Sequence, residues 1–190
     1  SQNPPYLLLC LKHVGHNVED GIWRSLCIYN TTERDWVRVI SYQEEADVVD
    51  CCFTTDASLL LTITAGPSPL LKIWEVASGN CIHVYDIQEH GEPSRILCCP
   101  SSPLLFTTSG EHHLRSWTLS VDGSPRALPL IKPAMEEHLT VADHLWLSGG
   151  IYEPHHFLIA ATVGEGVGSN RSSRILFFQR EGSSKTPHHL

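Results

Sequence analysis

Aromatic residues recur along this chain at the ends of short apolar segments. Residues 71–76 and 114–119 share an apolar start followed by a tryptophan near the end of the segment. Residues 26–29 and 175–178 show the same pattern of apolar residues and an aromatic less closely. The aligned aromatics are Tyr29, Trp74, Trp117 and Phe178, separated by 45, 43 and 61 positions. A recurrence of about 40–45 residues restricts the fold to a repeated unit built from short strands.

The two central units place turn residues between their apolar runs. Strands are predicted at 46–53, 59–64, 70–76 and 81–87 in the second unit, and at 94–99, 104–109, 114–119 and 126–131 in the third. Proline, glycine and small polar residues separate these runs, because they favour turns and interrupt a strand ladder. Four short strands in each repeat predict an all-β fold made of β-propeller blades.

The two outer units are incomplete. The first predicts strands at 6–14, 21–29 and 36–42 and lacks an initial strand, and the last predicts strands at 139–147, 157–163 and 174–179 and lacks a fourth. The predicted organisation is a partial blade at 1–43, complete blades at 44–87 and 88–131, a partial blade with insertions at 132–180, and a flexible tail at 181–190. Because an unclosed array exposes strand edges, these four blades are expected to be part of a larger propeller or to be completed by another chain.

Charge and composition argue against several classes of function. The 190 residues carry a formal net charge of −8 with only 13 Lys and Arg, so a nucleic-acid partner is not expected. No apolar run is long enough to span a membrane and no secretory leader is recognisable, which predicts a cytoplasmic location. The seven cysteines include vicinal pairs at 51–52 and 98–99, interpreted as small core residues of a reducing compartment.

The segment from 26 to 179 resembles WD40 repeats with degenerate motifs. Blades of that family have Gly-His before the first strand, Asp in the turn before the third strand and Trp-Asp at its end. The third unit here has His90-Gly91 in reversed order, Glu111 in the place of Asp, and Trp117-Thr118. The second unit has Trp74-Glu75 and no Gly-His, and the fourth has Phe178-Gln179.

The WD40 motif implies a buried polar network behind the tryptophan. An indole N–H needs an acceptor, which a Ser or Thr hydroxyl supported by other polar groups provides. A partial version is predicted in the third unit from His90, Thr108 or Ser109, Glu111 and Trp117. The second unit lacks the motif partners, so Trp74 is expected mainly to pack.

A narrower similarity concerns large WD-repeat cilia- and flagella-associated proteins of the axoneme. It rests on the Gly-Pro-rich turn at 65–69 before the Trp74 strand, and on residues 137–146, 158–162 and 175–178. The similarity implies a non-enzymatic scaffold that anchors dynein complexes to axonemal microtubules, and therefore a location in the cilium or flagellum.

No catalytic, cofactor-binding or metal site is predicted. The histidine pairs at 112–113, 155–156 and 188–189 lack the spacing of zinc ligands, and are interpreted as solvated turns and tail. The glycine-rich segment 164–169 lacks the Lys-Ser/Thr of a phosphate loop, and is interpreted as a mobile insertion.

The predicted functional surface is an acidic rim formed by the loops before the first strand of successive units. Its candidate residues are Glu44, Glu45, Asp47, Glu89, Glu92, Glu136 and Glu137. The rim is predicted to meet a basic surface of a protein partner within a multi-protein complex; the alternative is an ordinary solvated edge. Two other functions stay open: a scaffold or substrate receptor in another assembly such as a ubiquitin ligase, and a propeller enzyme with a site in the central channel.

Overall fold

The computed structural model describes residues 5–14, 22–43, 46–88, 92–111, 113–120, 124–128, 130–131, 139–147, 157–164 and 173–180. These ranges contain β-strands and turns and no α-helix. The strands are β1 (Tyr6–Val14), β2 (Ile22–Asn30), β3 (Asp35–Gln43), β4 (Val48–Phe53), β5 (Leu59–Thr64), β6 (Leu70–Glu75), β7 (Cys81–Asp86), β8 (Glu92–Cys98), β9 (Leu105–Glu111), β10 (His113–Leu119), β11 (Pro125–Leu128), β12 (Leu130–Ile131), β13 (Leu139–Leu147), β14 (Phe157–Gly164) and β15 (Ser173–Arg180).

The described strands form four antiparallel sheets, which are the blades of the fold. Blade 1 is β1-β2-β3, blade 2 is β4-β5-β6-β7, blade 3 is β8-β9-β10-β11, and blade 4 is β13-β14-β15-β12. The prediction of an all-β fold in four blades is therefore confirmed. In blade 1, Tyr29 lies on β2 as Trp74 lies on β6, so β1 to β3 correspond to the second to fourth strands of the other blades.

The last blade differs from its prediction. Leu130 and Ile131 were predicted to close the third blade, but they form β12 and pair with Arg180 and Gln179 of β15. The prediction that the last blade lacks a fourth strand was therefore wrong, and three of the four described sheets have four strands. Pro129 stands between β11 and β12 in the sequence, and proline has no N–H with which to continue a strand ladder.

The core lies between successive blades, because both faces of the central strands are buried. Leu60 and Trp74 face a cluster shared with blade 1, whereas Leu61 and Ile73 face a cluster shared with blade 3. The first cluster contains Leu26, Ile28, Ile40, Leu60, Trp74 and Val76, and the second contains Leu61, Ile63, Leu71, Ile73, Ile87, Ile96, Phe106, Trp117 and Leu119. Successive strand residues point to opposite faces, so a strand buried on both sides reads as a continuous apolar run.

An arginine connects the first strands of three blades. Arg95 on β8 places Nε 3.1 Å from Oδ1 of Asp143 on β13, and Nη1 3.7 Å from Oδ2 of Asp50 on β4. The same Asp50 oxygen accepts a hydrogen bond of 2.9 Å from the backbone N–H of Ile96. These contacts link blades 2, 3 and 4 at their first strands.

Candidate functional site

The indole of Trp117 in blade 3 is part of a buried polar network. Its indole Nε1–H donates to Thr108 Oγ1 over 2.8 Å, and Thr108 Oγ1 lies 2.6 Å from His113 Nε2. All three side chains are buried. The prediction of a partial network is right for Trp117 and Thr108, but its third member is His113 on β10.

The other predicted network members are placed differently. Glu111 is exposed at the end of β9, and Ser109 Oγ bonds His144 Nδ1 at 2.6 Å. His90 lies outside the described residues. The interpretation of His113 as part of a solvated turn was wrong, because its side chain is fully buried. The sequence signal was the spacing: His113 and Trp117 are four apart on one strand and so share a face.

Blade 2 contains the same indole contact. Trp74 Nε1–H donates to Thr62 Oγ1 over 3.0 Å, and both residues are buried. Trp74 packs in the core cluster of blades 1 and 2 as expected, but the expectation that the second unit offers its indole no polar partner was wrong. In both blades the threonine lies two residues after the residue directly opposite the tryptophan, Leu60 in blade 2 and Phe106 in blade 3.

Replacing Thr62 by valine is expected to destabilise the fold by about 2 kcal/mol, because the buried Trp74 indole loses its acceptor while the side-chain shape is kept. Urea unfolding would measure the change. The matched control makes the same substitution in a Trp74→Phe background, where the coupling is gone and the effect should be much smaller. Equal effects in the two backgrounds would show that the hydrogen bond contributes nothing.

His144 joins blades 3 and 4 through a second network, which no sequence motif indicated. Its Nε2 lies 2.7 Å from Thr107 Oγ1 and its Nδ1 lies 2.6 Å from Ser109 Oγ. Burial lowers the pKa of His144 to about 4, an effect that Asp143 opposes and that Arg95 and His113 reinforce. The imidazole is therefore neutral at physiological pH.

The pKa of His144 predicts acid sensitivity. The unfolded chain protonates this histidine near its ordinary pKa of 6.5 and the folded chain only near 4, so the unfolded state binds more protons between these values. Stability should therefore fall as pH falls, by about 2 kcal/mol between pH 7.5 and pH 5 from this group alone. Urea titrations at several pH values would test this, with His144→Gln expected to lose this part of the pH dependence. Parallel curves for the two proteins would contradict it.

The two outer aromatics of the repeat have no indole. Tyr29 is half-buried and makes an edge-on contact with Trp36, their ring centroids 5.2 Å apart. Phe178 lies on β15 directly opposite Leu158, and its side chain lies outside the described residues. Among the four aligned aromatic positions, the structure thus describes an indole-to-threonine hydrogen bond in the two central blades, at Trp74 and Trp117.

A cleft of about 380 Å³ opens at one end of blades 2 and 3. It lies where β5 and β9 end and where β8 and β13 begin. Its lining residues are Val49, Thr64, Ala65, Gly66, Pro69, Glu92, Pro93, Ser94, Glu111 and Thr140. Glu92 and Glu111 are both exposed and stand directly opposite each other on the paired strands β8 and β9.

The comparisons with known proteins bear on the fold. No family model matches the chain, and neither does any curated protein. The solved structure of U3-55K, a WD40 propeller protein, is similar to this chain with a TM-score of 0.51 and 13% identity over 87% of the chain. The fold is a WD40-type β-propeller fold. The match covers 54% of the U3-55K chain, so this chain spans about half the length of that structure.

Two of the predicted rim residues, Asp47 and Glu92, lie at the same end of the blades as the cleft. Glu92 begins β8, and Asp47 precedes β4, where its carbonyl oxygen accepts a hydrogen bond of 3.0 Å from Ala65 of the cleft. Asp47 is also ion-paired to the buried Arg24 of blade 1, with 2.6 Å between Oδ1 and Nη2. Glu44, Glu45, Glu89, Glu136 and Glu137 lie outside the described residues.

Two further features are absent from the described part of the chain. No group of three or more His, Cys, Asp or Glu side chains there is arranged to hold a metal ion. None of its segments forms a helix with the length and apolar character of a membrane span.

Proposed function

We propose that this chain is a protein-interaction scaffold and that the cleft between blades 2 and 3 receives an extended, cationic segment of a partner protein. The observation that carries the proposal is the pairing of Glu92 with Glu111 across β8 and β9. Two exposed carboxylates make the lining of the cleft acidic, and carboxylates bind Lys or Arg side chains through charge-assisted hydrogen bonds.

The walls of the cleft fit a peptide. Val49, Pro69 and Pro93 supply apolar surface beside the two carboxylates. The volume of about 380 Å³ accommodates a few side chains. A net charge of −8 over the whole chain attracts a basic partner from a distance.

Charge reversal in the cleft tests this function. A photo-crosslinking amino acid at Ser94 captures the partner from cell lysate, and the capture is repeated with Glu111→Lys. Because the introduced lysine faces Glu92, the variant replaces a like-charge pair by an opposite-charge pair and is expected to stay folded while capture falls at least about tenfold.

The matched control is Glu75→Lys, an exposed charge reversal at the far end of β6, which should leave the capture unchanged. The cleft proposal is overturned if Glu111→Lys retains the same partners as the parent chain, or if Glu75→Lys loses them equally.

We also propose the cilium or flagellum axoneme as the place where this scaffold acts, with dynein-associated components as partners. The support is the similarity of residues 65–74 and 137–146 to axonemal WD-repeat proteins. Expression of the tagged chain in ciliated cells, followed by imaging and identification of co-purifying proteins, tests this proposal. Exclusion from cilia would overturn the axonemal role, and ubiquitin-ligase components among the partners would favour the substrate-receptor alternative. Neither result would bear on the cleft.

A further inference from the structure

Two cysteines of neighbouring blades bring their sulfurs together at the boundary between blades 2 and 3. Cys52 lies on β4 and Cys98 on β8, 46 positions apart in the sequence, and their Sγ atoms are 2.8 Å apart. Neither forms a disulfide bond in this structure. Because a disulfide bond has an S–S distance of about 2.05 Å, the two sulfurs need to approach by less than about 1 Å to form one.

A hydrogen bond two residues away holds the two strands in this alignment. The backbone N–H of Ile96 donates to Asp50 Oδ2 over 2.9 Å. Cys52 follows Asp50 by two positions and Cys98 follows Ile96 by two, so each cysteine shares the strand face of a residue in this bond. The ladders are regular over both stretches, since the irregularities of β4 and β8 come before Asp50 and before Ile96. The contact between the thiols therefore follows from the alignment of β4 with β8.

The core cluster between blades 2 and 3 supports the thiol pair from both sheets. Leu61 stands directly opposite Cys52 on β5, and Phe106 stands directly opposite Cys98 on β9. Leu61 and Phe106 are buried members of the cluster, and both cysteines pack against it. The two cysteines themselves are half-buried. Fixed side chains thus hold the sulfurs in place, while a small oxidant can still reach them.

The sequence neighbours of these cysteines do not take part in the contact. Cys51 precedes Cys52 on β4 and therefore faces the opposite side of the sheet. Cys99 is fully buried and places its Sγ atom 3.3 Å from Ser101 Oγ. Each vicinal pair thus contributes one thiol to the boundary between the blades.

We propose that Cys52 and Cys98 are an oxidation site at which a peroxide forms a reversible disulfide bond between blades 2 and 3. The Cys98 thiolate attacks one oxygen of hydrogen peroxide, the O–O bond breaks, and Cys98 becomes a sulfenic acid as hydroxide leaves and takes up the thiol proton. The Cys52 thiol then attacks the sulfenic sulfur, its proton joins the departing hydroxyl group, and water leaves. In total, two thiols and one peroxide give one disulfide and two water molecules.

The order of the two steps follows from the burial of Cys52. Burial raises the pKa of Cys52 well above its usual value. Because the thiolate is the form that attacks peroxide, Cys98 takes the first step and Cys52 resolves the sulfenic acid.

Peptide mapping of the whole purified chain tests the proposal. The chain is treated with hydrogen peroxide, its remaining thiols are alkylated, and it is digested with trypsin without reduction. The digest should contain residues 39–72 linked to residues 96–115, and a dithiol reductant should separate the two peptides.

Serine variants identify the sulfurs, because each of these peptides contains a vicinal pair of cysteines. Cys52→Ser should abolish the link, and its Cys98 should be trapped as a sulfenic acid that reacts with dimedone. The matched control Cys51→Ser changes the adjacent residue on the opposite face and should keep the link. Far-UV circular dichroism before oxidation checks that both variants have the fold of the parent chain.

Thermal unfolding provides a second readout. Oxidation should raise Tm by about 5 °C or more, because the crosslink restricts the unfolded chain between residues 46 positions apart. The shift should persist in Cys51→Ser and be absent in Cys52→Ser. Absence of the linked peptides, equal loss of the link in the two serine variants, or a lower Tm of the parent chain after oxidation would overturn the proposal.

Discussion

Replacing Trp117 by alanine is expected to lower the free energy of unfolding by about 4 kcal/mol. The side chain is fully buried at the centre of the larger core cluster. It stacks on Phe106 with ring centroids 6.0 Å apart, and meets Tyr85 of blade 2 edge-on at 5.7 Å. Truncation removes these contacts, leaves a large cavity between two blades and deletes the donor to Thr108. Urea unfolding of the purified variant would measure the loss.

Two further variants separate the causes of this loss. Trp117→Phe keeps most of the apolar volume and removes the indole N–H, so about 2 kcal/mol of the loss should remain. Trp36→Ala deletes the same side chain where it is 53% exposed, and should cost under about 1 kcal/mol. If Trp36→Ala destabilised the chain as much as Trp117→Ala, the aromatic repeat would not mark the core.

The positions of the strands were predictable because they depend on residues that are close together in the sequence. β5 begins and ends at the predicted residues, and β6 and β10 differ from their predicted ranges by a single residue. Apolar runs bounded by proline, glycine and small polar residues carry this information directly. The connection through β12 was not predictable, because two residues that leave one sheet and join the next contain no periodicity of their own.

The polar partners of the two tryptophans were harder to predict because strand register, and not distance along the chain, selects them. Thr108 precedes Trp117 by nine positions, whereas Thr62 precedes Trp74 by twelve. The two spacings differ because the turn before β6 is longer than the turn before β10. A sequence motif with one fixed spacing between threonine and tryptophan cannot match both blades. Once the strands are paired, both threonines occupy the same register position relative to their tryptophan.

The rim was only partly predictable for a similar reason. Glu92 was identified from its loop, but Glu111 was assigned to the network behind Trp117. The antiparallel pairing of β8 with β9 instead places Glu111 opposite Glu92 at the cleft. Asp47, also predicted for the rim, is joined by Arg24 of blade 1, a contact between residues 23 positions apart. Long-range pairing of charges has no local signature in the sequence.

Replacing Gly110 by alanine is expected to destabilise the fold by roughly 3 kcal/mol or more. A Cβ atom at this position would lie 2.0 Å from the carbonyl oxygen of Glu92 and 2.8 Å from the backbone nitrogen of Ser94. Both atoms belong to the paired strand β8, so the backbone must move because no flexible side chain can yield. Urea unfolding and amide hydrogen exchange of β8 and β9 would report the change.

The matched control is Gly66→Ala, where the added Cβ meets nothing within 4 Å but φ is +110°. This variant should lose about 1–2 kcal/mol of stability through backbone strain alone, and equal losses at the two glycines would show that the contact with β8 is unimportant.

Gly110 also lies beside Glu111 and opposite Pro93 at the cleft. Any Gly110→Ala protein that still folds should therefore hold Glu92 and Glu111 further apart, because the close approach of β8 and β9 brings the two carboxylates together. Such a variant should capture the proposed cationic partner less well.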